Sequence, residues 1–242
     1  MNSKLNVVFH HIRKQVEDCT SPYDLCEDQM HTVLSRLCDM LNEQGRSLGV
    51  FFDDGYLEHY ASAIALQEMY GINVVLGVPT ESVGEDGYMT WDHIKKLAST
   101  GHTIASHGVS HAALGRYEND VVLPTPADGL YRNTSKGKGM VLSAAEVAYQ
   151  VVESHRVMIT SGVRVDAFIY PYGIFNKEIR DVVVGSHLYT RGYTCEMAVE
   201  SEGCDRFTLP RVVIDRSLQL DQWIMQLADL TTKIDEHGRA TR

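Results

Sequence analysis

Residues 48–56 read Leu-Gly-Val-Phe-Phe-Asp-Asp-Gly-Tyr. The first five form a continuous apolar run, as expected of a strand whose sheet is covered on both faces. Two adjacent carboxylates, Asp53 and Asp54, stand at the carboxyl end of that run, and Gly55 then turns the chain. Parallel α/β folds build their sites at that end of their strands. The stretch therefore predicts a buried parallel sheet and marks where chemistry would sit. Neighbouring acids can divide the work, one binding a cation and one moving a proton. The same residues also suit a plain solvated turn.

Working outward, short apolar runs alternate with amphipathic stretches. Strands are predicted at residues 5–9, 72–78, 103–106, 165–170 and 206–214, besides 48–52. Helices are predicted at 28–42, 56–70, 91–99, 143–160, 176–184 and 217–230. In the first helix Met30, Val33, Leu34, Leu37 and Leu41 recur at helical spacing, with Glu27 and Asp28 complementing the dipole at its start. Thr90 caps the helix at 91–99 and Gly101 ends it. Ser143 and Glu146 make a capping box. Such alternation favours a parallel sheet, open or closed into a barrel. Residues 115–139 hold two prolines and four glycines with little periodicity, and read as one long surface loop of the kind that serves as a lid. No repeat or linker divides the chain, which predicts a single domain over residues 1–242.

Thirty-two acidic against 22 basic residues give a net charge of −10, which argues against a nucleic-acid partner. No segment approaches the run of about 20 apolar residues that spans a bilayer, and the amino terminus lacks the features of a signal peptide. Five cysteines (Cys19, Cys26, Cys38, Cys195 and Cys204) are odd in number and lack CxxC spacing. They read as reduced thiols, and the expected compartment is the cytoplasm.

Two further stretches end predicted strands. In Ser106-His107-Gly108-Val109-Ser110-His111 the histidines are four apart, which puts them on one face of a helical turn where both imidazoles can reach one metal ion. Two unrelated surface histidines would look the same. In Phe168-Ile169-Tyr170-Pro171-Tyr172-Gly173, proline and glycine flank an aromatic in a tight turn that can aim backbone N–H groups into a site; a simple strand-ending turn is the alternative.

Taken in order, these motifs resemble those of the polysaccharide deacetylase family, from about residue 48 to 214. Intervening text resembles it too: Tyr56 after Asp-Asp-Gly, Met69-Tyr70-Gly71, Met89-Thr90-Trp91, and Gly101-His102-Thr103-Ile104. The resemblance implies a distorted (β/α) barrel of about seven strands, the NodB-homology fold, and removal of an N-acyl group, acetyl or formyl, from an amino sugar. It implies that Asp53 is the catalytic base, and that Asp54, His107 and His111 bind one divalent cation, zinc first, with cobalt or nickel as substitutes. The Pro171-Tyr172 turn would supply the Tyr172 N–H to the oxyanion. Three positions depart from the family pattern. Gly108 stands where Ser or Thr is usual, Ala112 stands where Pro is usual, and Ile169 replaces an arginine, which removes a usual partner of the base. The late histidine that acts as acid in most members is also missing, since His237 lies in a polar tail. Members similar to poly-N-acetylglucosamine deacetylases carry that histidine on the first strand instead. Val7-Val8-Phe9-His10-His11-Ile12, Ser21-Pro22-Tyr23-Asp24-Leu25 and Leu209-Pro210-Arg211-Val212 resemble that branch, which implies His10 as the acid. A metal-independent cyclic-amide hydrolase similar to allantoinase and a non-catalytic sugar-binding relative are the competing readings.

Overall fold

The computed structural model describes residues 3–118, 121–123 and 142–232. In chain order the strands are β1 (Lys4–Phe9), β2 (His11–Arg13), β3 (Asp24–Cys26), β4 (Ser47–Phe52), β5 (Val75–Val78), β6 (Thr103–Ser106), β7 (Arg116–Glu118), β8 (Val121–Leu123), β9 (Ala167–Ile169), β10 (Arg191–Tyr193) and β11 (Val212–Val213). The helices are α1 (Glu27–Glu43), α2 (Glu58–Tyr70), α3 (Trp91–Ser99), α4 (Ala144–Thr160), α5 (Lys177–Gly185) and α6 (Leu220–Thr232). Seven strands form one parallel sheet in the order β10-β9-β6-β5-β4-β1-β11.

The chain between β10 and β11 closes this sheet into a distorted barrel. Arg206 O accepts from Gly192 N–H (2.8 Å) and Leu209 O from Thr194 N–H (2.9 Å), and Leu209 bridges Tyr193 in parallel. A few residues later the same segment pairs with β1, Val212 opposite Val7 and Val213 opposite Val8. One short stretch thus touches both edges of the sheet.

Strand alternation sorts side chains into two cores. Val8, Phe51, Ala105, Ala167, Ile169, Tyr193 and Leu209 fill the barrel. Val7, Phe9, Val50, Phe52, Ile104 and Phe168 point outward into the larger core shared with the helices. Continuing the inward parity past the strand ends brings His10, Asp53 and His107 to the barrel mouth.

The predicted helix at 91–99 and strand at 103–106 coincide with the observed elements. Strands β1 and β4 each begin one residue earlier than predicted, whereas β5 and β9 are shorter: apolar residues at 72–74 and 165–166 belong to connections rather than ladders. The 206–214 stretch is mostly seam, with regular pairing only at Val212–Val213. Strand β10 escaped prediction because Arg-Gly-Tyr carries no apolar run, and the small parallel pair β2–β3 escaped for the same reason. Within the predicted loop at 115–139, β7 and β8 form an antiparallel hairpin; residues 119–120 and the stretch from 124 onward lie outside the described residues, as does His237. Among the described residues no helix is long and apolar enough to cross a membrane.

Phe51→Ala should empty the barrel centre and cost about 3–5 kcal/mol, whereas Met225→Ala on the exposed side of α6 should stay within about 0.5 kcal/mol. Urea denaturation followed by circular dichroism measures both.

Candidate metal centre

The carboxyl ends of β1, β4, β6 and β9 surround a cleft of about 320 Å³. His10, Asp53, Asp54, His107, His111 and Tyr172 line it, so six of the seven residues expected from the sequence converge on one place, while Pro171 is buried in the turn and does not line the cleft. Three of them stand in the left-handed region: Asp54 (φ 77°), His111 (φ 53°) and Tyr172 (φ 59°). Only one other non-glycine among the described residues, His187, does so. Each such residue costs about 1–3 kcal/mol and persists only where surrounding contacts enforce it. At Tyr172 the enforcement is visible. A Cβ on Gly173 would lie 2.7 Å from Cys195 Cβ, so only glycine lets the Pro-Tyr-Gly turn fold this tightly against the chain beyond β10.

Asp54 Oδ1 lies 3.2 Å from His111 Nε2 and 3.6 Å from His107 Nε2, and the two ring nitrogens are 3.1 Å apart. Ligand atoms on a tetrahedral ion with bonds of about 2.1 Å would be about 3.4 Å apart. Among the described residues this is the one group of three or more His, Cys, Asp or Glu whose ligand atoms converge. His107 donates its Nδ1 proton to the Ile169 carbonyl (2.9 Å), which turns Nε2 toward the cluster. Burial works against charge on this ring, but Asp53 and Asp54 outweigh it and raise the imidazole above its ordinary value, so a cation binding there would displace the Nε2 proton. Burial pushes the His111 ring down to about 4, so it is neutral and able to ligate. Asp54 Oδ1 is buried without a hydrogen-bond partner. An oxygen and two imidazole nitrogens in this arrangement fit a divalent cation.

Asp53 is buried beside the cluster, its Oδ2 3.9 Å from His107 Nε2. The sequence suggested a base without its arginine. The structure corrects this: Arg211, fully buried on the barrel seam, donates to both oxygens, Nη1 to Oδ1 at 2.8 Å and Nη2 to Oδ2 at 2.9 Å. The position occupied by Ile169 is thereby free to be apolar, and Ile169 packs inside the barrel. Burial alone would raise the Asp53 carboxyl, but the Arg211 guanidinium and His107 outweigh it and hold the group below the usual carboxylate range. Arg211 also donates Nε to the Thr194 carbonyl at 3.2 Å. Leu209-Pro210-Arg211-Val212 had drawn notice in the sequence, but only the closed barrel shows which acid its arginine meets.

The two adjacent histidines part company. His10 faces the cleft with Tyr23 beside it, ring centroids 5.2 Å apart. Its carbonyl accepts a 2.5 Å bond from His59 Nε2, and burial lowers the His59 ring to about 4, so it is a neutral donor. His11 turns the other way, paired with Glu58 at 2.9 Å and stacked on Tyr56 at 3.7 Å. Tyr23, Tyr56 and Cys195 also line the cleft. No spacing rule marked them, because they reach it from three separate connections.

A model of the polysaccharide deacetylase family matches residues 40–187. The chain belongs to that family. Over 65 residues it is 31% identical to YxkH of Bacillus subtilis (strain 168), which is named as a polysaccharide deacetylase; the match covers 27% of this chain and 23% of that protein. Its fold is similar to that of the deacetylase PplD of Streptococcus pyogenes, with TM-score 0.71, 15% identity, and 93% and 97% of the two chains covered. IcaB of Ammonifex degensii is similar at TM-score 0.68 and 18% identity, with 95% and 97% covered.

Breaking the Asp53–Arg211 pair from either side should be costly. Arg211→Met and Asp53→Asn should each lose about 3–5 kcal/mol of unfolding free energy at pH 7, and the double variant should regain most of it. The Asp53 carboxyl is depressed in the folded state, so its stabilisation is present above an unfolded value of about pH 4 and is lost as pH falls through the lower folded value. Urea titrations from pH 7 down to pH 3 should therefore show wild type losing stability in acid more steeply than the double variant.

Proposed function

We propose that the chain is a cation-dependent hydrolase that removes an N-acyl group, acetyl in the first instance, from an amino sugar. The observation that carries this reading is the convergence of Asp54, His107 and His111 beside an ionised, arginine-held Asp53 in one cleft. Family membership supports it. The cation we propose is zinc; bound there, it would polarise the acyl carbonyl and lower the pKa of a water molecule in the cleft. Asp53 accepts the proton from the attacking water. A carboxylate has about four acceptor sites and Arg211 takes two, so capacity remains. The Tyr172 N–H donates to the oxygen that gains charge as the tetrahedral intermediate forms. His10 then protonates the nitrogen as the C–N bond breaks, releasing a carboxylate and a free amine. The aromatic and imidazole walls of the cleft suit a sugar ring. We favour short substrates over a threaded polymer. All five cysteines are free, which supports a reducing compartment such as the cytoplasm.

Purified protein should hold about one zinc per chain, as expected of a three-ligand open site. It should release acetate from N-acetylglucosamine monomer or dimer at least as fast as from the pentamer. Dialysis against a chelator should abolish turnover, and added zinc or cobalt should restore it. Metal-free protein with full activity would favour the allantoinase-like reading, and rates climbing with chain length would overturn the short substrate. Formyl counterparts run alongside decide the acyl group.

His10→Ala should lower kcat by about 10²–10⁴ with metal retained, while His11→Ala should act mainly on stability through its lost pair with Glu58. Steady-state kinetics with elemental analysis separates the two, and an equal kcat loss at His11 would unseat His10.

A further inference from the structure

Helix α4 turns a mostly apolar face to the core through Val147, Val151 and Met158, yet Gln150 and Ser154 are buried on that face as well. Gln150 is only 5% exposed. A buried amide is costly unless its groups are bonded, and those of Gln150 are, all to one loop. Its Oε1 accepts from the backbone N–H of Val109 (2.8 Å) and of Ser110 (3.1 Å), and its Nε2 donates to Ser110 Oγ (3.1 Å). That loop joins His107 to His111. Its opposite edge is held as well, Thr80 N–H bonding Gly108 O at 3.2 Å and Glu81 N–H bonding Val109 O at 2.8 Å.

Gly108 explains how the amide comes so close. It adopts φ +78°, and a Cβ there would sit 3.1 Å from Gln150 Oε1, tighter than a side chain normally tolerates. The residue that departs from the family pattern and the glutamine that bonds the loop are therefore one arrangement. At the far end of the loop His111 holds φ 53°, a conformation that needs outside support.

We infer that Gln150 is a positioning residue for the cation site: its amide fixes the loop so that His111 presents Nε2 toward Asp54 and His107. This rests on the metal-centre reading above. Outer partners of metal ligands change affinity by about 10–100-fold when removed, and here the support acts through backbone amides rather than through a ligand's ring. Gln150→Leu keeps the volume but leaves two partly buried backbone N–H groups without their acceptor. Gln150→Glu keeps the acceptor, and Ser110 Oγ can turn to donate to it.

Zinc affinity of the metal-free proteins, measured by competition with a chromophoric chelator, tests the inference. Gln150→Leu should bind about 10–100-fold more weakly than wild type, and Gln150→Glu should stay within about threefold. The visible absorption spectrum of the cobalt form should change in the leucine variant and match wild type in the glutamate variant. If Gln150→Leu does not fold, Gln150→Asn, one methylene too short to reach the loop, replaces it with the same expectation. A folded Leu or Asn variant that binds zinc within about twofold of wild type, with an unchanged cobalt spectrum, overturns the role of Gln150 and leaves the metal centre standing. A wild type that binds no zinc overturns both.

Discussion

The two-pronged pair between Asp53 and Arg211 ties β4 to the segment that closes the barrel, with both partners buried. Such a pair is not a cheap source of stability, because desolvating two charges offsets most of their attraction. What it secures is geometry. The arginine is held a third time, by the Thr194 carbonyl, so the carboxylate cannot rotate without breaking a network that spans three parts of the chain. Closure of the sheet and orientation of the Asp53 carboxylate are consequently one event.

The remaining site residues hang on that frame through strand parity. Val8 and His10, Phe51 and Asp53, and Ala105 and His107 are inward pairs two residues apart, the first of each filling the barrel and the second reaching its mouth. A register slip of one residue would send all three polar groups outward and expel the apolar ones beneath them. The packing that stabilises the barrel therefore also aims the chemistry.

Much of this was readable in advance, for physical reasons. A continuous apolar run ending in Asp-Asp-Gly announces a buried strand and a charged mouth, and the same logic placed His107 and the Pro-Tyr-Gly turn at strand ends. The helical turn expected between His107 and His111 is instead an irregular loop, with Gly108 at φ 78° and His111 at φ 53°. Helices with clear caps, such as the one opened by Thr90, were legible almost to the residue. Contacts between residues far apart in the chain were not. Arg211 and Asp53 are separated by 158 positions, and Gln150 and Ser110 by 40. Nothing local marks either pair. The apparent loss of an arginine at Ile169 was a relocation, visible only once the seam was drawn. Short strands such as β10 stay hidden because their pairing comes from neighbours rather than from their own composition.

The left-handed residues carry an evolutionary consequence. Asp54, His111 and Tyr172 occupy backbone conformations that glycine would adopt with less strain. Mutations toward glycine there would relax the fold while deleting two of the three proposed cation ligands and one wall of the cleft. Selection for endurance alone would push the chain along that path, toward a sturdier barrel with nothing at its mouth.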